Sequence, residues 1–541
     1  MRMPTWSSSM SISRHPRQMG REEAGVIVAN KSGTIRRAMS NGATGRALLA
    51  ASLLSWAICA ADRAVAAEGA KPEMSPEARP VEDFNPNIFR PDPTYEDKPY
   101  DYEGQIEIYG GKRRLLPPRP LLELGRPQYT EGPFQPSSDI FGEKNRAFNQ
   151  FSIYGDVRTA LAYNDNGDKE IGQVAWRLNL DIDYRFTATE RVHAFVRPID
   201  NGNKFTRVEF FGDDADDSFT FEENKEFETL YFEGDAGAIV AGLSDEYQKW
   251  DLPFTFGRVP LFFQNGIWVD DAWDGAAVTI PARNVPALDI SNMDVTLFMG
   301  LNNVENRAIL NDKGQVDDDD LKVYGITAFI DASLGYYELG YAYTDGRGKL
   351  NDQSYHAVTA AFTRRYGGWL SNSVRLFGDF GQDVDNGQET VDGYAVIVEN
   401  SLVTALPTTL VPYFNVFAGW ERPQPLSRGA DGLLKNVGIN FETDALTGFP
   451  KLDDTANDTF GGAIGVEYLF QLDQQIVVEA ATVQVHGDSN GRPAQDDQYA
   501  LGVRWQKPIT DAWILRADAM YGVIVDDADL LGMRFEVRRK F

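Results

Sequence analysis

From residue 149 onward, apolar and polar positions alternate along the chain. The clearest case is Gln173 to Phe186, QVAWRLNLDIDYRF. Val174, Trp176, Leu178, Leu180, Ile182, Tyr184 and Phe186 take one face, and Arg177, Asn179, Asp181, Asp183 and Arg185 take the other. Successive side chains of a strand point to opposite sides, so this period predicts a strand with one apolar and one polar face. At about 3.3 Å per residue it is long enough to cross a tilted path through a bilayer. Tyr499, Leu501, Val503 and Trp505 alternate with Ala500, Gly502, Arg504 and Gln506, and Met533, Phe535 and Val537 with Arg534, Glu536 and Arg538.

Further candidates begin near 151, 191, 205, 227, 237, 275, 293, 321, 335, 353, 371, 391, 410, 457, 475, 496 and 513, separated by Gly/Asp/Asn-rich turns. The pattern predicts an all-β fold, a transmembrane antiparallel β-barrel of about 18 strands over 149–541, with 16 and 20 as neighbouring counts. Thr187–Glu190, Gly234–Asp235 and Leu472–Gln474 read as short periplasmic turns. Asp213–Asp217, Ile309–Asp320 and Leu426–Asp458 read as long, acidic extracellular loops. Phe541 shares the parity of Val537, Phe535 and Met533, as the last aromatic of a final barrel strand does; Arg539 departs from it.

The N-terminal region is of another kind. Ala47 to Ala61 has the length of a secretory h-region, Arg46 precedes it and Ala64-Val65-Ala66 forms an A-x-A cleavage site. Residues 1–66 therefore read as a leader, with Met39 as an alternative start. Residues 67–148 form a proline-rich periplasmic arm holding thirteen of the 27 prolines, with one short strand expected at Gln105–Tyr109. The arm reads either as a flexible linker or as a segment packing into the barrel mouth and meeting a periplasmic partner.

Composition narrows the function. A balance of −28 argues against a nucleic-acid partner, which needs a basic footprint. Discarding the leader removes nine basic and three acidic side chains, so the balance becomes −34. No run of 18 apolar residues occurs, which leaves a barrel as the one route for so polar a chain into a bilayer. Cys59 lies in the leader, so the remaining chain has no disulfide, no thiolate metal site and no attached haem. No cofactor or metal is expected.

One stretch carries a resemblance. Gly257-Arg258-Val259-Pro260-Leu261-Phe262-Phe263-Gln264-Asn265-Gly266-Ile267-Trp268-Val269, continuing through Trp273-Asp274-Gly275-Ala276, resembles the alginate-export family of outer-membrane porins. Leu122-Glu123-Leu124-Gly125-Arg126, followed by Phe151–Tyr163, is a second, shorter match. The resemblance implies a monomeric 18-stranded barrel in the outer membrane of a Gram-negative bacterium. It also implies an arginine-lined constriction that passes an anionic polysaccharide and is gated by loops.

The residues themselves give a substrate path and its bland counterpart. Alternation turns Arg158, Arg177, Arg185, Arg197, Arg375, Arg504, Arg516 and Arg534 to the lumen, and rings of arginine favour anions. Asp181, Asp183, Asp379, Asp518 and Glu536 face the same way, so the lumen is mixed in sign. Arg258 offers a planar fork for carboxylates, and Trp268 and Trp273 offer faces for sugars. Otherwise Arg258 pairs with Asp270, Asp271 or Asp274 to hold a folded-in loop. Asp165–Asp168, Asp213–Asp217 and Asp317–Asp320 read as solvated loops bridged to lipopolysaccharide by divalent cations, or as Ca²⁺ ligands. Of His193, His356 and His486, only His486, beside Asp488 and Ser489, sits in a crowd, so catalysis has little support. The expectation is a porin for an anionic polysaccharide or a small acidic solute. An envelope scaffold built on a barrel is the alternative, and an outer-membrane hydrolase the third reading.

Overall fold

The computed structural model of the chain describes residues 118–125, 138–147, 149–167, 169–201, 204–211, 218–310, 320–384, 389–429, 431–442, 446–487 and 492–541. The leader, the strand expected at 105–109 and most of the arm lie outside the described residues.

The alternating segments form the wall of a closed 18-strand antiparallel barrel. The first strands are Gln150–Asp165 (β1), Glu170–Arg185 (β2), Arg191–Val196 continued by Lys204–Phe211 (β3), and Ser218–Thr220 continued by Phe227–Asp235 (β4). Pro253–Phe263 (β5), Val269–Ile280 (β6), Ile290–Asn302 (β7), Leu321–Ala332 (β8) and Gly335–Gly346 (β9) follow. Then come Tyr355–Tyr366 (β10), Leu370–Phe380 (β11), Asp392–Leu402 (β12), Leu410–Arg422 (β13) and Thr459–Tyr468 (β14). Gln475–Val485 (β15), Gln498–Pro508 (β16), Trp513–Ile524 (β17) and Leu530–Lys540 (β18) complete the wall. Each strand pairs with the next, and β18 returns to β1 in the register Asp156↔Lys540 to Asp165↔Leu531. That register leaves the first residues of β1 beyond the reach of β18, and Leu122–Leu124 pairs there with Phe151–Ile153.

Three expectations about individual strands change. The candidates near 191 and 205 are two parts of one strand: β2 pairs with the first part at Leu180–Arg185 and with the second at Gly172–Trp176. The candidate near 237 is a helix, Ala236–Ser244 (α1). Asp235 caps it, accepting from Ala238 N at 2.8 Å and so satisfying one of the free amides of its first turn. Gly234–Asp235 is therefore the start of a helical connection, not a two-residue turn. In compensation, β5 is a wall strand for which no period-2 signal was read.

Parity sorts the wall into two faces. Leu297, Ile326, Leu339, Val416, Ile464, Leu501 and Phe535 are exposed large apolar residues on the outside. Tyr324, Tyr394, Trp420, Phe460, Tyr499 and Tyr521 edge this belt at one end; Phe329, Tyr336, Tyr366 and Tyr468 edge it at the other. Such a belt between aromatic girdles is hidden from water only by a bilayer, so the barrel spans a membrane. Arg539, the departure in the last strand, lies with its guanidinium 5.7 Å from the Trp513 ring centre, which shields the charge.

The turns 187–190, 333–334, 367–369, 469–474 and 509–512 lie at the end where β1 begins and β18 finishes, called here the turn end. The longer connections, which join β7 to β8, β13 to β14 and β15 to β16, leave the wall at the other end, the loop end. Gly257 in β5 has φ +121°, and a Cβ there would press on the Leu230 carbonyl oxygen of β4. Gly257→Ala is expected to destabilise the barrel by roughly 1–3 kcal/mol through backbone strain. The measurement is the temperature at which the folded gel band converts to the unfolded one; an unchanged temperature would show that the two strands relax apart freely.

Candidate functional site: the barrel bore

The loop-end half of the bore holds an apolar core. Inward residues of the wall, among them Val259, Trp273, Phe298, Val323, Ala357, Phe377, Ile397, Phe417 and Val483, pack with Leu426, Leu433, Leu434, Val437, Phe441, Phe449 and Leu452 of the 423–458 connection. The segment expected as a long acidic extracellular loop, 426–458, starts and ends at the loop end and folds into the bore. Nine apolar side chains, Ile439 and Leu446 with the seven just named, are too many to leave in water, and turning inward removes them from it.

Hydrogen bonds tie this loop to the wall on all sides. Ser427–Arg428 runs parallel to Val269–Asp270, and Leu426 N donates to Trp268 O at 2.9 Å. Trp273 Nε1 donates to Ser427 Oγ at 3.0 Å, and Ser427 Oγ donates to Asp271. Asn415 Nδ2 of β13 donates to Val437 O at 2.6 Å. Glu479 of β15 accepts from Ile439 N at 2.9 Å, Asn440 N at 3.0 Å and Asn440 Nδ2 at 2.8 Å. On the far side, Asn164 of β1 and Gln173 of β2 each donate to Thr447 O at 2.6 Å. Pro450 and Phe449 lie against Gly532 of β18, so close that a Cβ there would meet Pro450 at 2.7 Å. The 264–268 turn bends inward as well, with Gln264 Nε2 donating to Thr359 Oγ1 of β10 at 2.7 Å.

Inside the loop sits a charge cluster. Lys451 Nζ lies 2.8 Å from Asp431 and 2.5 Å from Asp454, while Lys435 lies 3.2 Å from Asp270 and 3.7 Å from Asp431. Burial works against the Asp431 charge, yet Lys451 and Lys435, with Arg428 behind them, hold its carboxyl below the usual carboxylate range. Burial likewise opposes the Lys451 ammonium, which Asp454 and Asp431 hold above its usual value. Burial pushes the neighbouring Asp453 up.

The signs differ. Asp431, lowered in the docked loop, stabilises docking at neutral pH and loses that contribution as pH falls below the ordinary carboxylate value of about 4. Asp453, raised, takes up its proton at higher pH and favours docking as it does so. Lys451 contributes fully until pH passes above its ordinary value. Conductance is expected to stay flat or dip slightly from neutral to mildly acidic pH and to rise below about pH 4 as Asp431 protonates. A bilayer pH series on the wild-type protein and Asp431→Asn measures this, and the mutant should lose the acidic rise.

Below the loop the bore is lined by ion pairs. Asp518 of β17 meets Arg504, Arg516 and Arg534, each at 2.8 Å. Arg504 also reaches Glu442 of the loop at 2.9 Å. Asp156 meets Arg158 at 2.8 Å and Arg538 at 2.7 Å. Arg177 and Arg197 meet Asp200 at 2.9 and 3.5 Å where β3 is interrupted, and Arg197 meets Glu228 at 2.7 Å. Arg375 meets Glu399 at 2.7 Å and Glu338 at 3.5 Å. Buried guanidinium groups need such partners, because desolvation otherwise exceeds what packing returns. Arg185 is half-buried near the turn end.

Other expected site residues are placed differently. Arg258 shares its side of the sheet with Phe256 and Leu230, the outer face, and pairs there with Asp274 at 2.9 and 3.3 Å. It faces away from the bore, and Arg258 Nη1 also donates to Phe227 O at 3.0 Å. Trp268 and Trp273 are 1% and 0% exposed inside the apolar core and present no free face to a sugar. His486 Nε2 lies 2.9 Å from Gly419 O, while Asp488 and Ser489 are outside the described residues. Asp168, Asp213–Asp217 and Asp317–Asp319 also lie outside them. Among the described residues, no cluster of three or more His, Cys, Asp or Glu has the arrangement of a metal site. Asp183 with His193 at 2.8 Å and Tyr154 at 2.6 Å forms a further polar group on the inner wall that alternation alone did not assemble.

No protein-family model matches the chain, and no curated protein does. Several solved structures are similar to it. OpdL of Pseudomonas aeruginosa shares 12% identity at a TM-score of 0.46, over 72% of this chain and 98% of its own. OccAB4 of Acinetobacter baumannii shares 12% identity at 0.47, over 72% and 98%. Wzi of Escherichia coli, described as an outer-membrane protein involved in group 1 capsule assembly and a carbohydrate-binding β-barrel, shares 13% identity at 0.43, over 72% and 84%.

Proposed function

We propose that the protein is an outer-membrane channel for anions, carrying an acidic polysaccharide of the alginate-export kind or a smaller acidic solute. The observation that carries this reading is the β1/β16–β18 quarter of the bore. Five guanidinium groups (Arg158, Arg504, Arg516, Arg534 and Arg538) share Asp156 and Asp518 there, with Glu442 and Glu536 as further acids. Cations in excess on one wall of a low-dielectric bore attract carboxylates and orient them. The loop 423–458 is the element that opens or narrows the path. Export through a cleaved leader, a Gram-negative outer membrane and a monomeric barrel complete this reading.

Planar-bilayer recording tests it. Single-channel current with a reversal potential toward the anion in a salt gradient supports the reading. Cation preference would remove the acidic substrate. A barrel that stays silent even without the loop would favour the scaffold alternative, for which the filled bore is the supporting observation.

A further inference from the structure

A second feature lies outside the bore, at the turn end. Residues 138–147 form a hook against α1, where Gly142 and Gly242 meet backbone to backbone with no room for a Cβ on either. Asn145 Nδ2 donates to Glu190 Oε2 at 2.7 Å, and Glu190 Oε1 accepts from Asp235 N at 3.2 Å, which fixes the hook to the 187–190 turn. Between hook, helix and wall lies a cavity of about 290 Å³, lined by Phe141, Phe186, Phe232, Ile239 and Leu243. The polar groups at its edge, Asn145, Glu190 and Thr187, bond one another. The cleft therefore presents an apolar lining, which suits an apolar ligand.

Its position says which. Phe186 and Phe232 are outward residues of the wall, 6.3 Å apart, and Phe232 continues to Phe254 at 6.0 Å and to the exposed Phe256 at 5.4 Å. The cleft is thus continuous with the lipid-facing belt. Leu243 and Tyr247 are each 80% exposed at its rim, and Val240 and Trp250 are exposed beside them. An apolar helix end facing outward at the edge of a bilayer lies in the interface.

We propose that this cleft binds an acyl chain of a phospholipid in the periplasmic leaflet, with α1 resting in the interface as a lipid-anchored collar. The proposal rests on the membrane-spanning reading of the barrel. The hook and helix fix the cleft at the leaflet boundary, so one lipid is held at a defined place on the rim.

The test places bimane on Leu243→Cys in the full barrel, whose only native cysteine, Cys59, belongs to the leader. The labelled protein is reconstituted in phosphatidylcholine vesicles with or without brominated acyl chains. Leu297→Cys in the belt and Lys349→Cys at the exposed loop end serve as references. Most of the emission at 243 is expected to be lost in brominated vesicles, as at 297, while 349 keeps its emission. Ile239→Asp, which sets a charge in the cleft, is expected to restore emission at 243. Emission at 243 that stays closer to that at 349, with 297 quenched, overturns the lipid site. Absence of quenching at 297 overturns the membrane reading itself.

Discussion

Replacing residues 429–453 by a short Gly/Ser linker is expected to raise single-channel conductance by roughly an order of magnitude, since eighteen-stranded walls enclose an aqueous bore when nothing folds into them. The expectation follows from where the loop is held. Its anchors sit on β1 and β2 (Asn164, Gln173), β6 (Asp270, Asp271), β13 (Asn415), β15 (Glu479), β16 (Arg504) and β18 (Gly532), so the segment crosses the bore and does not merely line one side. The deleted form should still migrate as a folded barrel, because no wall strand ends inside 429–453. Equal conductance in the two forms would mean that solutes pass beside the loop and that it is a structural filler. A milder change, Glu479→Gln, removes the charge that accepts from two backbone amides and should loosen the 439–440 turn without emptying the bore. Noise in open-channel current is the readout, and it should increase.

Asp518→Asn is the second large effect. Three guanidinium groups converge on this one carboxylate, which is 8% exposed. Neutralising it leaves buried positive charges facing one another, at a cost of roughly 3–5 kcal/mol by comparison with broken buried pairs elsewhere. The same change adds one positive charge to the wall of the bore. Two readouts should therefore move together: the denaturant midpoint falls, and the reversal potential shifts further toward the anion. If stability falls while selectivity holds, the cluster is a strut behind the path and not part of it. Glu442 tests the coupling between loop and wall, since it pairs with Arg504 of β16 at 2.9 Å; Glu442→Gln should shift selectivity without the same loss of stability.

The wall was legible because lipid enforces a strict period of two, and residues such as Leu501, Val503, Phe535 and Met533 have no other reason to alternate with Arg504, Arg534 and Glu536. The strand count survived local errors for the same reason. The helix at 236–244 was missed because AGAIVAGLS is apolar without a period, and the Asp235 cap is a single residue. The bore was legible only in part. Parity told which arginines face inward, but whether a guanidinium is free or spent on Asp200, Glu399 or Asp518 depends on partners that are distant in sequence. Arg258 shows the opposite failure: a motif made it conspicuous, while the parity of Phe256 and Leu230 put it on the outer face. The inward fold of the loop 423–458 was not legible because its acidic residues were read and its leucines were not.

The three residues Leu122–Leu124 bear on how the protein keeps company with others of its kind. A barrel abolishes free strand edges only if its first and last strands match in length, and here β1 outruns β18. The unmatched backbone of Phe151–Ile153 would otherwise be an open invitation to a neighbouring chain's strand. Covered from within the same polypeptide, the backbone of that stretch is already paired, and only a three-residue strand stands where a longer template would lie open.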